Sequence, residues 1–204
     1  HKVSKEWINQ YIDRIILAGP AFYGCFNPFD EFVRGWFSRL QVTPGVAEAA
    51  RKMVSCQCLT PNYVIGKDEI VFKNAGGKDL KPTDIKQYLI DNGVLTGDAL
   101  DIFNIVEEDL KEEPTDIGVP ALILYNSGFQ TQTSFDATNG FEGLKTLLGP
   151  GDSTCETYQA DYICEHWAQV KCLDFESTDA KYSHIEMIRT PEAINKIIDF
   201  MDFE

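Results

Sequence analysis

Two residues stand where acid–base chemistry needs them. Asp152 lies in the turn Gly149-Pro150-Gly151-Asp152-Ser153, just ahead of a helical stretch, and His184 lies in a loop before the last helix. A carboxylate in that setting holds one tautomer of an imidazole, and the imidazole takes the proton of a nucleophile as it attacks. The acid precedes the base along the chain, and both belong to loops rather than to strands or helices. A turn aspartate and a solvent-facing histidine with no mutual contact is the competing reading, because Gly-Asp turns and loop histidines are common. Glu156, Asp161 and Glu165 follow on what is expected to be a helix and have no assigned part in the chemistry.

The thiols are the second set of reactive groups. Six cysteines (Cys25, Cys56, Cys58, Cys155, Cys164 and Cys172) are scattered along the chain. Six allow about 15 pairings, and spacing does not choose among them. An even number at scattered positions suits a secreted or lumenal protein with a few bridges. Cys155, Cys164, His166 and Cys172 could be read as zinc ligands, but they include no Cys-x-x-Cys unit. Cys164 and His166, two apart on a helix, also point to different faces. No metal centre and no cofactor is expected. Cys56-x-Cys58 is expected to be a bridged or buried pair rather than a redox motif.

These groups must be positioned by an alternation of strands and helices. Ile12–Ala18 is short, β-branched and stopped by Gly19-Pro20, as a buried strand would be. Val119–Tyr125 and Val170–Phe175 are expected as further buried strands, with a helix over Tyr158–Trp167 between them. Apolar residues at 29, 32, 33, 36, 37 and 40 predict an amphipathic helix over Phe29–Leu40, with Asp30, Glu31, Arg34 and Ser38 on its polar side. Thr43-Pro44 opens a second helix to about Val54. Tyr63–Ile65 and Glu69–Phe72 read as two strands around a Gly66-Lys67-Asp68 turn. Thr83 caps a helix ending near Asn92-Gly93. Thr190-Pro191 starts a final helix carrying Ile194, Ile197, Ile198 and Met201 on one face. The order predicts an α/β protein with a mostly parallel sheet.

Charge narrows the partners. The 204 residues carry 18 Lys plus Arg against 32 Asp plus Glu, a net charge of −14. That excess of acid argues against nucleic acid, which needs a basic footprint, and against a polybasic membrane anchor. Gly97–Asp116 alone holds eight acids and one base, half of the net charge. Ala99, Phe103, Val106 and Leu110 recur beneath it at helical spacing, so a core-packed helix with a solvated acidic face is expected. The longest apolar runs fall short of the roughly 20 residues of a membrane span. The sequence opens on His1 with no signal-peptide pattern, which reads as a processed chain or an excised piece of a longer one.

Several motifs resemble the lecithin:cholesterol acyltransferase family, which includes lysosomal phospholipase A2 and the phospholipid:diacylglycerol acyltransferases. Tyr125-Asn126-Ser127-Gly128-Phe129-Gln130-Thr131 to Phe135 resembles its Tyr-Gly…Thr…Tyr/Phe stretch. Gly151-Asp152-Ser153-Thr154 resembles its Gly-Asp-Gly-Thr-Val motif, and Ile163-Cys164-Glu165-His166-Trp167 its Cys-x-x-Trp helix. His184-Ile185-Glu186-Met187 is similar to the family's His-Ile-Glu-Met. Trp7 through Gly24 is similar to the strand ending in Leu-Gly-Ala-Pro-Trp-Gly-Gly, with Pro20-Ala21-Phe22-Tyr23 a scrambled form of it. Ser153 and Cys155 stand where the motif has Gly and Val.

The resemblance implies an α/β fold that is the carboxyl-terminal portion of an α/β-hydrolase, with Asp152 and His184 as triad acid and base. Residues 26–118 would be a lid-like, membrane-facing insertion, and 119–204 the strands and loops carrying the two catalytic residues. Phe22, Trp36 and Phe37 would touch lipid. No Gly-x-Ser-x-Gly occurs in the chain, so the nucleophile would come from an amino-terminal chain that completes the sheet. The intact enzyme would cleave a glycerophospholipid ester at a membrane surface and pass the acyl group to water or an alcohol such as a sterol. It would work in a secreted or lumenal, lysosome-like compartment. The rival expectation is a non-catalytic lipid-binding or assembly subunit, to which Ser153 in place of Gly lends weight.

Overall fold

The computed structural model describes residues 3–21, 24–35, 44–113 and 115–201, which fold as a mixed α/β protein. Its amino-terminal half contains α1 (Lys5–Tyr11), β1 (Ile15–Ala18), α2 (Phe26–Arg34), α3 (Pro44–Arg51), α4 (Val54–Gln57), β2 (Phe72–Ala75), β3 (Lys78–Leu80), α5 (Ile85–Asp91) and α6 (Asp98–Leu110). β4 (Ala121–Tyr125), β5 (Phe129–Asp136), β6 (Lys145–Gly151), α7 (Tyr158–His166), β7 (Val170–Asp174) and α8 (Pro191–Met201) follow. The chain divides into two compact units. One comprises His1–Pro20, Thr115–Thr131 and Pro150–Glu204, and the other Ala21–Pro114 and Gln132–Gly149. No helix among the described residues is long and apolar enough to cross a membrane.

The first unit is built on a parallel three-stranded sheet in the order β1-β4-β7. Ile15 to Ala18 pair with Ala121 to Leu124, and Ala121 to Tyr125 pair with Val170 to Asp174. Short β-branched and aliphatic runs suit such strands, and the central one, β4, buries Leu122, Ile123 and Leu124. Leu122 and Leu124 pack with Met187, Ala193 and Phe200, the last two from α8. Thr190 opens that helix by accepting a hydrogen bond on Oγ1 from the Ala193 amide at 3.1 Å. The helix is turned differently from its most apolar stripe. It buries Ala193 and Phe200 with Ile197 beside them, whereas Ile194, Ile198 and Met201 stay 43–50% exposed. A disulfide between Cys164 and Cys172 ties α7 to β7, with the Cα atoms 6.1 Å apart. It also withdraws both thiols from the zinc set considered above.

The second unit is held by aromatic rings. Phe26, Phe29, Phe32, Phe72, Phe103 and Phe135 are fully buried in one cluster. Phe72 and Phe135 lie 5.1 Å apart and Phe32 and Phe103 6.5 Å apart. α6 contributes Ala99, Phe103, Val106 and Leu110 as its buried face, and Asp98, Asp101, Glu108 and Asp109 face outward as the periodicity predicts, whereas the Glu107 side chain is 14% exposed. Lys86 meets Glu107 at 2.7 Å.

Three expectations are corrected in this unit. The helix expected over Phe29–Leu40 runs Phe26–Arg34 and ends on Gly35, whose φ of 68° turns the chain out of the helix. Its apolar stripe is core as far as described: Phe29, Phe32 and Val33 have no exposure. Asp30, assigned to the polar side, is buried too, and Arg34 four residues on meets it at 2.6 Å. The strand pair expected at 63–65 and 69–72 is absent. Asn62 Oδ1 accepts from the amides of Val64 and Ile65 and winds that segment into turns, so the hairpin forms one step later as antiparallel β2 and β3 around Gly76-Gly77. Finally, Cys56 is buried and Cys58 exposed, and neither is in a disulfide.

A second sheet, in the order β3-β2-β5-β6, was not expected at all. β5 enters it parallel to β2, so this sheet is mixed. The stretch Gln132–Gly149, which the motifs group with the strands carrying Asp152 and His184, belongs to the second unit.

Candidate active site

Asp152 and His184 meet. His184 Nδ1 lies 2.7 Å from Asp152 Oδ2, and the His184 amide donates to the Asp152 carbonyl at 2.8 Å. The two residues are therefore joined through both backbone and side chain, which fixes the imidazole's orientation as well as its distance. Asp152 is 3% exposed, so its carboxylate must be satisfied by the protein. Its Oδ1 accepts from the amides of Thr154 at 3.0 Å and Cys155 at 2.8 Å, leaving Oδ2 for the imidazole. The His184 side chain is 26% exposed, and its contact with Asp152 uses Nδ1. The hydrogen bond that His184 donates to Asp152 raises its pKa above the ordinary value, against the opposing pull of burial.

The turn that aims Asp152 is built tightly. Gly151 has the Cys155 carbonyl and the Thr131 side chain 2.5 Å from where a Cβ would stand, so no larger residue fits there unless the turn moves. Ser153 takes a left-handed conformation with φ of 81°, a backbone that glycine adopts without strain. Its amide donates to Thr131 Oγ1 at 2.9 Å. Glu156, expected on a helix, instead precedes α7 and bridges Gly151, and it is buried. Asp161 lies on α7, and Glu165 lies there exposed.

The carboxyl ends of the parallel strands supply the rest. Gly19, with φ of 56°, directly follows β1, and a Cβ there would stand 2.7 Å from His184 Nδ1 and 3.0 Å from Asp152 Oδ2. The bare backbone at Gly19 is what lets the pair sit over the end of β1. Asn126 follows β4 and is 1% exposed. It donates from Nδ2 to the carbonyls of Ser177 and Tyr182 and accepts on Oδ1 from the amides of Gly128 and Ser177. It thereby pins the loop that delivers His184. Asp174, at the end of β7, accepts from the Ser127 and Glu176 amides. The acid–base pair thus lies at the carboxyl edge of a parallel sheet, the usual place for a site in α/β proteins.

Sequence reasoning singled out Asp152 and His184, and the fold brings them together. Phe22, Trp36 and Phe37, expected to touch lipid, lie outside the described residues. Gly19 and Asn126 lie within the resembled stretches, and sequence pattern assigns them no role. A buried, four-bonded asparagine just past a strand is hard to distinguish by sequence from an ordinary turn residue. As arranged, the pair can hold an imidazole neutral at its outer nitrogen, accept a proton there and stabilise the resulting cation. No protein-family model matches the chain, and neither does any curated protein.

Proposed function

We propose that the chain is the acid- and base-bearing portion of an α/β-hydrolase-type lipid acyl hydrolase or acyltransferase, in which Asp152 orients His184 as general base. The observation that carries this reading is the 2.7 Å contact between a buried carboxylate and a partly exposed imidazole at the carboxyl edge of the parallel sheet. A serine from a nucleophile-bearing amino-terminal chain would give its proton to the free His184 nitrogen. It would attack the ester of a glycerophospholipid and release the alcohol with the proton His184 returns. Water or an acceptor alcohol then attacks the acyl-enzyme with His184 again as base. This cycle uses no metal. Among the described residues β1 is an edge strand of its sheet, with all four residues only partly buried, so a further parallel strand could pair there. Membrane-surface action and a secreted or lumenal setting belong to the same proposal and follow from the resemblance. So does the assignment of residues 26–118 as a lid-like element.

Ser153, which lends weight to the non-catalytic rival, leaves the acid and base in hydrogen bond. The test is made on the native assembly carrying this chain. Intact-mass analysis under denaturing conditions should find a second polypeptide with a Gly-x-Ser-x-Gly segment. A serine-directed phosphonate should label that polypeptide and not this one. His184→Ala should lower phospholipid hydrolysis by several orders of magnitude and Asp152→Asn nearly as much, while Glu165→Ala keeps most activity. Near-normal hydrolysis by His184→Ala would sink the proposal and leave the lipid-binding subunit as the better reading.

A further inference from the structure

Cys155 introduces a thiol where acid–base chemistry asks for none. One oxygen of Asp152, the Cys155 sulfur and a ring nitrogen of His184 all lie within 4.8 Å of one another. Cys155 is 4% exposed and in no disulfide, and Asp152 is as deeply buried. His184 alone of the three reaches solvent. A thiolate, an imidazole and a carboxylate make a donor set for a borderline-soft ion, whose fourth ligand would come from solvent. Calcium and magnesium, which select oxygen, do not suit it. Asp152 is already aimed by the Thr154 and Cys155 amides, so one ligand is pre-oriented by its surroundings.

We propose that Asp152, Cys155 and His184 bind one zinc ion, and that the bound ion silences the acid–base pair. The ion takes the place of the proton between His184 Nδ1 and Asp152 Oδ2. Their 2.7 Å separation opens to about 3.3 Å, the span of two ligands at roughly 2.0–2.1 Å in a tetrahedron. The Cys155 thiol loses its proton to solvent, and the neutral imidazole keeps its single proton by moving it to Nε2. The nitrogen that would receive the nucleophile's proton is then blocked, and turnover stops until the metal leaves. Zinc binding stands independently of the proposed function, whereas the silencing rests on it.

The test begins with the full chain, disulfide intact and stripped of trace metal, titrated with zinc and separately with cobalt(II). One ion should bind per chain, and the cobalt complex should show a thiolate charge-transfer band. Cys155→Val should abolish the band and weaken zinc about 100-fold, as loss of one of three protein ligands should. Cys155→Ser, nearer in size, guards against misfolding of the valine variant and should behave alike. Cys58→Ser, which removes an exposed thiol, should bind as the wild type does. No uptake by the wild type, or undiminished zinc affinity and an intact band in both Cys155 variants, would overturn the site. In the assembled enzyme, zinc should stop phospholipid hydrolysis and a chelator restore it, with Cys155→Val resistant. Zinc held by Cys155 with hydrolysis unaffected overturns the silencing. An assembly with no hydrolase activity even without zinc counts against the proposed function, while the chain's own zinc titration still decides the site.

Discussion

The two units bury their apolar residues to very different degrees. In the second, six phenylalanines lie in one closed cluster, and the charged residue drawn into it, Asp30, has Arg34 at 2.6 Å. In the first, every residue of β1 is only partly buried, and α1 buries no residue, leaving Trp7 45% and Tyr11 63% exposed. The unit holding the acid–base pair is thus the one whose surfaces are incompletely covered. The unit with a finished core holds no comparable group of reactive side chains among the described residues. The acid–base pair sits where the sheet ends in open edges and loops, and the closed core sits in the aromatic cluster. This division is expected when binding and catalytic groups are carried on loops held by a rigid scaffold.

The largest effect should come from the closed cluster. Phe32→Ala removes a fully buried ring stacked on Phe103 and should cost about 3–5 kcal/mol in chemical denaturation. Trp7→Ser and Tyr11→Ser in the isolated chain should each change stability by about 0.5 kcal/mol or less, because their rings touch each other and solvent. Equal costs at Phe32 and Trp7 would erase the distinction between the units.

That distinction was only half legible in the sequence. Period 3.6 identified α6 and its buried Ala99, Phe103, Val106 and Leu110, and short apolar runs identified β1, β4 and β7, of which only β4 is buried as expected. The pairing of Asp152 with His184 was legible through chain order and motif, since both belong to loops whose placement the strands dictate. β5 was missed although Phe129, Thr131, Thr133 and Phe135 alternate with Gln130, Gln132 and Ser134, a period-2 signal masked by its polar composition. The turn at 63–65 was misread because the Asn62 side chain competes for backbone amides that a strand would use. Gly19 was invisible as a site residue, because its role is to lack a side chain beside His184.

A second test asks how far the first unit depends on its covalent tie. The bridge from Cys164 to Cys172 spans eight positions. By the loop-entropy estimate, replacing both cysteines with serine should cost about 2–3 kcal/mol. The loss should register in the first unit, as faster amide exchange along β7 and α7, while the amides of α6 stay protected. Uniform loosening would mean that the units unfold as one.

The acid–base pair itself should leave a mark on stability. Asp152 raises the His184 pKa above its ordinary 6.5. A group that binds its proton more tightly in the folded state adds stability that is complete below the unfolded pKa and vanishes as pH climbs through the folded one. The melting-temperature gap between wild type and His184→Gln should therefore be widest on the acid side and shrink above neutrality. In the assembled enzyme the acid limb of the rate profile should sit above pH 6.5, since the base works only when neutral. A gap that grows with pH would show that His184 is not stabilised as the cation.

The smallest effect should be a gain. Ser153 holds φ of 81° with its side chain exposed, and its amide rather than its hydroxyl makes the contact to Thr131. A left-handed residue with a Cβ costs about 1–2 kcal/mol, and glycine there is free of that strain. Glycine also returns about 0.4–1 kcal/mol to the unfolded chain as entropy, so Ser153→Gly should stabilise by roughly 0.5–1 kcal/mol net. The substitution touches neither the 2.7 Å contact nor the two amides on Asp152 Oδ1, so hydrolysis by the assembled enzyme should stay within about twofold. Stabilisation with unchanged turnover would mean that the serine is a tolerated strain beside a working pair. A fall in stability would place the strain elsewhere in the turn. A large rise in turnover would mean that Ser153 had been holding the pair out of line, and the subunit reading that rests on it would gain ground.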